Sequence, residues 1–306
     1  MRRHAVLSLF TVGVVLGASA CTTGAARRAL ATSGRAVTSE GRGHACFDVS
    51  ALAPADQRVA NEVLRDFGDR EGLYTMAGGL KPISSDVRDL QIRIAPRFDT
   101  VALAALEQQR RVAAALSCGD IGVLVQIFTA TQRTRDSSEV RNTSMVVYHR
   151  AALRRLIERK RDFFATLGVT PSTHPHDALA AVENAPRVPR WRGYGYLFGY
   201  PDTAVDFFVA AGIEGDRTGT LVPRDFRRIE TVFKFAAGNG DSLSTFVYAV
   251  PKGAALGPDE QALHRQAAAV MRDYKLRRAQ LMPSDTADAL TLWRRWLTAQ
   301  DAPTAR

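Results

Sequence analysis

From Pro54 onward the apolar residues of this chain switch repeatedly between two spacings, and that switching limits the folds open to it. Residues 54–67 carry Val59, Val63 and Phe67 four apart behind a proline suited to a first turn, which predicts a helix. A short helix is expected at Leu73–Met76. The AGGLKPISSD stretch then reads as a glycine-containing break, and Arg88–Ala95 (RDLQIRIA) alternates polar and apolar side chains as a half-buried strand does. Residues 98–116 return to helical spacing through Val101, Leu103, Leu106, Val112 and Leu116. GDIGVLVQIFTA follows as a glycine turn into an apolar run suited to an interior strand, residues 131–142 as a polar connection, and SMVVYH as another strand.

The helix expected over Ala151–Leu167 is amphipathic. Leu153, Leu156, Ile157, Phe163, Phe164 and Leu167 make its buried face, while Arg154, Arg155, Arg159 and Arg161 stay wet. Helices are expected near 176–184 and 201–211, with the proline-rich 186–190 as a loop between them. RRIETVFKFAA and STFVYAV flank the turn chemistry of AGNGD as a hairpin. Pro258 opens a helix to about Leu281, Pro283-Ser284-Asp285 punctuates, and a last helix carries Trp293 and Trp296. The expected fold class is α+β or mixed α/β, with one sheet of about five strands, mixed or largely antiparallel, covered by about eight helices. The strand, helix and strand across 88–129 read as a right-handed crossover. Residues 46–300 are expected to form a single domain, with 301–306 a disordered tail.

The first twenty residues have another character. MRRH is a short positive start, AVLSLFTVGVVLGA is an apolar run of about fourteen residues, and Ala18-Ser19-Ala20 is a small-residue ending. This is the pattern of a secretory leader, too short for a comfortable membrane span. Cys21 follows at once, and here the sequence resembles the lipobox of bacterial lipoproteins, although Ala18 stands where that family usually has leucine. The resemblance covers the N-terminus alone. It implies that Cys21 is lipidated and that the chain is lipid-anchored on the periplasmic or outer-membrane side of the cell envelope. Ala18-x-Ala20 also suits ordinary signal peptidase, which would leave a freely secreted or periplasmic protein. Residues 21–45, rich in Ser, Thr, Gly and Ala, read as a flexible tether after Cys21. With Cys21 lipidated, Cys46 and Cys118 remain as a disulfide pair in an oxidising compartment.

The formal charge is +10, falling to +8 if Arg2 and Arg3 leave with the leader. Only Lys81, Lys160, Lys234, Lys252 and Lys275 are lysines, so arginine supplies most of the positive charge and with it bidentate donors for carboxylates and phosphates. No nucleic-acid-binding motif accompanies that charge, and export removes nucleic acid from reach. The partners expected are the membrane, through the N-terminal lipid, and anionic envelope components. No cofactor is expected.

Candidate site residues fall in three stretches. Tyr74, Lys81, Ser84 and Asp86 form the densest polar group outside the helices, next to a glycine pair and near a strand start. YGYLFGYPDTAVDFF alternates Tyr194, Tyr196, Phe198 and Tyr200, an aromatic face if extended and a distributed set of rings if helical. Its Gly193, Gly195 and Gly199 lack the preceding strand that a dinucleotide site needs. Pro201 starts a helix in which Asp202 and Asp206 lie four apart, and Asp206 sits in an apolar run where a carboxylate needs solvent or a partner. In STHPHDA, His174, His176 and Asp177 are weak candidates for a metal, because the same residues make a good helix start.

The sequence therefore points to an exported, lipid-anchored envelope protein acting as a binding or structural component. The alternative is an envelope hydrolase using Asp202 and Asp206 or a His174/His176 metal site.

Overall fold

A computed structural model describes residues 46–97, 99–236, 242–282 and 288–300. The leader, Cys21, the tether, the AGNGD turn, Pro283–Asp285 and the tail 301–306 lie outside the described residues, as does the side chain of Asp86.

Helix α1 (Pro54–Asp69) and the short α2 (Leu73–Met76) precede strand β1 (Ile83–Ala95). Helix α3 (Thr100–Ala115) then leads into β2 (Ser117–Cys118), β3 (Ile121–Arg133) and β4 (Glu139–His149). Helices α4 (Arg150–Arg159), α5 (Arg161–Ala165), α6 (Pro175–Glu183), α7 (Arg187–Leu197) and α8 (Asp202–Thr218) follow in a run. The hairpin strands β5 (Arg224–Ala236) and β6 (Ser242–Pro251) come next, and α9 (Pro258–Leu281) and α10 (Ala289–Gln300) close the described chain.

The α+β class holds, with the strands divided between two sheets. Four lie in the order β1-β4-β3-β2, and β5 pairs with β6 in a second sheet; every neighbouring pair is antiparallel. SMVVYH, in β4, is the interior strand, flanked by Val87↔Met145 on one side and Val123↔Val147 on the other. GVLVQIF, expected to be interior, lies in β3, which beyond the two-residue β2 is an edge. Its apolar run reports two faces covered by helices, not two neighbouring strands. The α3 crossover does connect parallel strands, but β4 lies between them.

Four other boundaries differ from expectation. Ile83–Asp86, read as loop, belongs to β1 and pairs Ile83 with Tyr148. The connection read at 131–142 shrinks to 134–138, because the polar ends of β3 and β4 continue pairing as far as Arg133↔Glu139. The helix expected through Leu167 breaks at Lys160, which leaves helical backbone at φ −111°, ψ 33°. The proline stretch 186–190 is not a loop: Pro186 caps α7 and Pro189 occupies its first turn, where a missing N–H costs nothing.

Alternation along β3 and β4 sends side chains to two cores. Val123, Met145 and Val147 face a core completed by Phe67, Val112, Phe246 and Trp293. Val146, Tyr148 and Ile83 face another, formed with Leu153, Leu156, Phe164, Leu179 and Leu197. In the first core Tyr274, Trp293 and Trp296 stack on one another, and the Trp293 indole donates to the Leu64 carbonyl at 3.0 Å. The Cys46 and Cys118 sulfurs stand at disulfide distance, 2.03 Å, across a sequence separation of 72. Closing a loop of that size stabilises a fold by about 4 kcal/mol in the chain-entropy account.

Candidate functional site

The segments 74–86 and 193–202, singled out separately in the sequence, meet in space. Gly199 makes the junction. It sits at φ +70°, and an added Cβ would lie 2.9 Å from the Leu80 carbonyl oxygen and 3.0 Å from Lys81 Cα. The other two glycines of the motif serve helix packing. A Cβ on Gly193 would meet Val182 at 2.8 Å, and one on Gly195 would meet Val205 at 2.8 Å, so α7 lies close against α6 and α8.

The loop at 79–82 is shaped from behind. The Tyr74 carbonyl accepts the N–H groups of Leu80 at 2.9 Å and Lys81 at 3.2 Å, and the Pro82 carbonyl accepts the His149 N–H at 2.9 Å. Held this way, Lys81 turns inward and is 0% exposed. Its Nζ donates to Glu71 Oε2 at 2.8 Å and lies 4.0 Å from the centroid of Phe246, 5.2 Å from Tyr200 and 5.6 Å from Phe198. Ser84 Oγ lies 2.8 Å from Thr75 Oγ1 and donates to the Glu71 carbonyl at 3.3 Å. Tyr74 donates to the Glu230 carbonyl, and burial, with Glu230 adding to it, pushes its phenol above the ordinary range. Tyr74, Lys81 and Ser84 thus form a fully buried wall.

In front of that wall lies a cleft of about 430 Å³. Leu80, Pro82, Ala152 and Leu156 give it apolar surface, and Tyr196 and Tyr200 add aromatic rings. Arg155, Arg159, Lys160 and Asp202 supply its charges. Arg155 and Arg159 lie one turn apart on the exposed side of α4, beside the buried Ala152 and Leu156. Among the described residues neither has a carboxylate within ion-pair distance, whereas Lys160 donates to Asp202 and lies 4.9 Å from the Tyr196 ring centroid.

The remaining candidates are held elsewhere. Asp206 is exposed and accepts from Arg192, whose Nη1 also donates to Tyr196 Oη at 3.1 Å; this is the partner its apolar run required. Asp202 and Asp206 are each paired with a separate cation and not with each other. Tyr194 stacks on Phe198 at 5.4 Å and donates to Glu183 Oε2 at 2.6 Å. Tyr194 and Tyr196 lie on α7, Phe198 caps its end and Tyr200 follows, so the alternating rings do not line one face of an extended segment. His174 caps α6 by accepting the His176 N–H at 3.2 Å, and His176 lies 3.0 Å from Asp177. Among the described residues no group of three His, Cys, Asp or Glu side chains could hold a metal ion.

A second cleft of about 400 Å³ lies along β3 between α3 and α6, so size does not choose between the two. Chemistry does. The second cleft centres on Glu183, only 4% exposed, which takes Thr129 N at 2.6 Å and Thr129 Oγ1 at 2.7 Å as well as the Tyr194 hydroxyl. Its Arg110 is paired with Glu107 at 2.5 Å. Its strongest groups already have partners, whereas two arginines of the first cleft have no carboxylate partner among the described residues.

Sequence reasoning put Arg155 and Arg159 on a wet helix face without assigning them to a site. The available signal was their position at the edge of that face, next to the buried Ala152 and Leu156. Glu183 left no signal beyond a carboxylate at a helix end. Compared with known proteins, the chain matches no family model, no curated sequence and no solved structure.

Proposed function

We propose that this chain is an exported, lipid-anchored envelope protein that acts as a binding component and holds an anionic ligand in the cleft between the 79–82 loop and the start of α8. The observation that carries this reading is the pair Arg155 and Arg159, without a carboxylate at ion-pair distance among the described residues, at the rim of a cleft with an apolar floor. Guanidinium groups there gain more from a phosphate or carboxylate than they would in open water, because the floor excludes solvent from one side. The leader, Cys21 and the Ser/Thr/Gly/Ala tether support the address, and a cysteine pair at disulfide distance fits an oxidising compartment. No helix of the described residues is long and apolar enough to cross a membrane. The hydrolase alternative needs a titratable pair facing a cleft, and of Asp202 and Asp206 only Asp202 lines this one.

Calorimetric titration with inorganic phosphate, sulfate and citrate tests the cleft. At least one anion is expected to bind saturably and to lose binding in the Arg155→Glu/Arg159→Glu variant, with circular dichroism confirming its fold. Absence of binding by all three anions, or binding that survives the double substitution, sinks the reading. For the address, palmitate should label the wild-type chain and not Cys21→Ser.

A further inference from the structure

Asp202 is the odd member of the cleft. It is a carboxylate among cations, at a helix start where negative charge is favoured. It is the first residue of α8, a helix of 17 residues. The N–H groups of Ala204 and Val205 are taken by the Pro201 carbonyl, at 3.0 Å each. Those of Asp202 and Thr203 are the outermost of the helix end, where the macrodipole favours negative charge. Lys160, set at the cleft by the break between α4 and α5, donates to the Asp202 carboxylate. One corner of the site is thus filled by the chain's own anion, while Arg155 and Arg159, on the last turn of α4, have none among the described residues.

We infer that the ligand is a dianionic oxyanion, a phosphoryl group above all, and that it enters by displacing Asp202 from Lys160. This rests on the cleft being the binding site. A free carboxylate offers Lys160 no more than Asp202 already gives it, and Asp202 competes from within the chain at high effective concentration. A monoanion therefore gains little by the exchange. A dianion with three or more acceptor oxygens accepts from Lys160 and from the arginine pair together, and its extra charge outweighs the lost ion pair. Asp202 acts as a charge filter, excluding carboxylates and admitting phosphates.

The test is a set of dissociation constants for inorganic phosphate and for acetate, measured on the full chain at about pH 8, where phosphate is mainly dianionic. Wild type is expected to bind phosphate at least roughly tenfold more tightly than acetate. Asp202→Asn, which keeps a side chain suited to a helix start, should tighten phosphate by roughly tenfold and let acetate bind. Adding Lys160→Gln to Asp202→Asn should take that gain back. If Asp202→Asn leaves phosphate affinity unchanged or lower, or if wild type holds acetate as tightly as phosphate, the filter is overturned. The cleft reading itself survives that result as long as phosphate binding still needs Arg155 and Arg159. If neither wild type nor Asp202→Asn binds phosphate, the filter is overturned, and the cleft reading falls with it when sulfate and citrate also fail to bind.

Discussion

Leu80 and Pro82 face the cleft, and Lys81 between them points the opposite way, so one short segment separates two sets of cations. Behind it, the Lys81 ammonium is sealed among Phe246, Tyr200 and Phe198 and neutralised by Glu71. In front of it, Arg155 and Arg159 stand at the rim with no carboxylate of the described residues in reach. The difference shows how little a positive charge says by itself. Enclosed in low dielectric, a cation must be matched by its own chain and becomes part of the architecture. At a half-enclosed rim it can be left unmatched at small cost, and it stays available.

The largest effect expected from this contrast is on stability. Lys81→Met should leave the Glu71 carboxylate buried beside a thioether and cost about 3–5 kcal/mol in denaturant unfolding. Adding Glu71→Leu should restore a good part of that loss, because no uncompensated charge then remains. If Lys81→Met instead left stability unchanged and abolished anion binding, the division between architecture and availability would be broken.

Next in size is the junction that joins the two regions. Gly199→Ala places a Cβ at φ +70° against the Leu80 carbonyl and Lys81 Cα. The left-handed conformation alone costs an alanine about 1–2 kcal/mol, and the contact adds to it. Thermal unfolding should register the loss, and phosphate binding should weaken with it, since the same contact sets the loop against α8. A loss of stability with binding intact would show that the cleft does not depend on this junction.

This part of the molecule shows what the amino-acid pattern could and could not convey. Pro54 and Pro258 announced the starts of α1 and α9 because a proline in a first turn coincides there with clear helical spacing. Pro186 and Pro189 serve α7 in the same way, yet the glycines and aromatics after them blur the period, and the stretch reads as a loop. Tyr196 and Tyr200 reach the cleft, and Asp202 with them, from the stretch whose alternating rings read as an aromatic face if extended and a distributed set if helical. Its glycines are contact points for Val182, Val205 and the 79–82 loop. The cleft itself draws on the 79–82 loop, α4, the end of α7 and the start of α8. Spacing along a chain reports which residues share one face of one element. It carries no information about which faces of separate elements come together.

A smaller stability effect should accompany a large functional one at the rim. Arg155→Gln/Arg159→Gln removes two exposed charges that hold no carboxylate among the described residues, so unfolding free energy should move by no more than about 0.5 kcal/mol. Phosphate affinity in the same sample should fall by roughly tenfold or more. A stability loss comparable to that of Lys81→Met would mean that these arginines are architecture after all.

The smallest effect separates a third kind of group from the other two. His149 lies at the edge of the same loop: a Cβ on Gly79 would be 3.0 Å from its Cδ2, and its Nδ1 accepts the Ala152 N–H at 3.4 Å as the N-cap of α4. Burial is the main cause holding its pKa below the ordinary histidine value. Asp120 opposes that shift and Arg155 adds to it. A histidine whose folded pKa is depressed binds its proton more readily when unfolded. The neutral ring therefore contributes stability that is fully present above the unfolded value of about 6.5 and is lost as pH falls toward and through the folded one. Stability should thus decline on acidification below about pH 6.5, and His149→Asn should flatten that part of the profile while keeping a side chain able to cap α4. Arg155→Gln should flatten it too, though less, because it removes only a secondary cause. If the decline persisted unchanged in His149→Asn, the acid sensitivity would belong to carboxylates elsewhere and not to the histidine beside this loop.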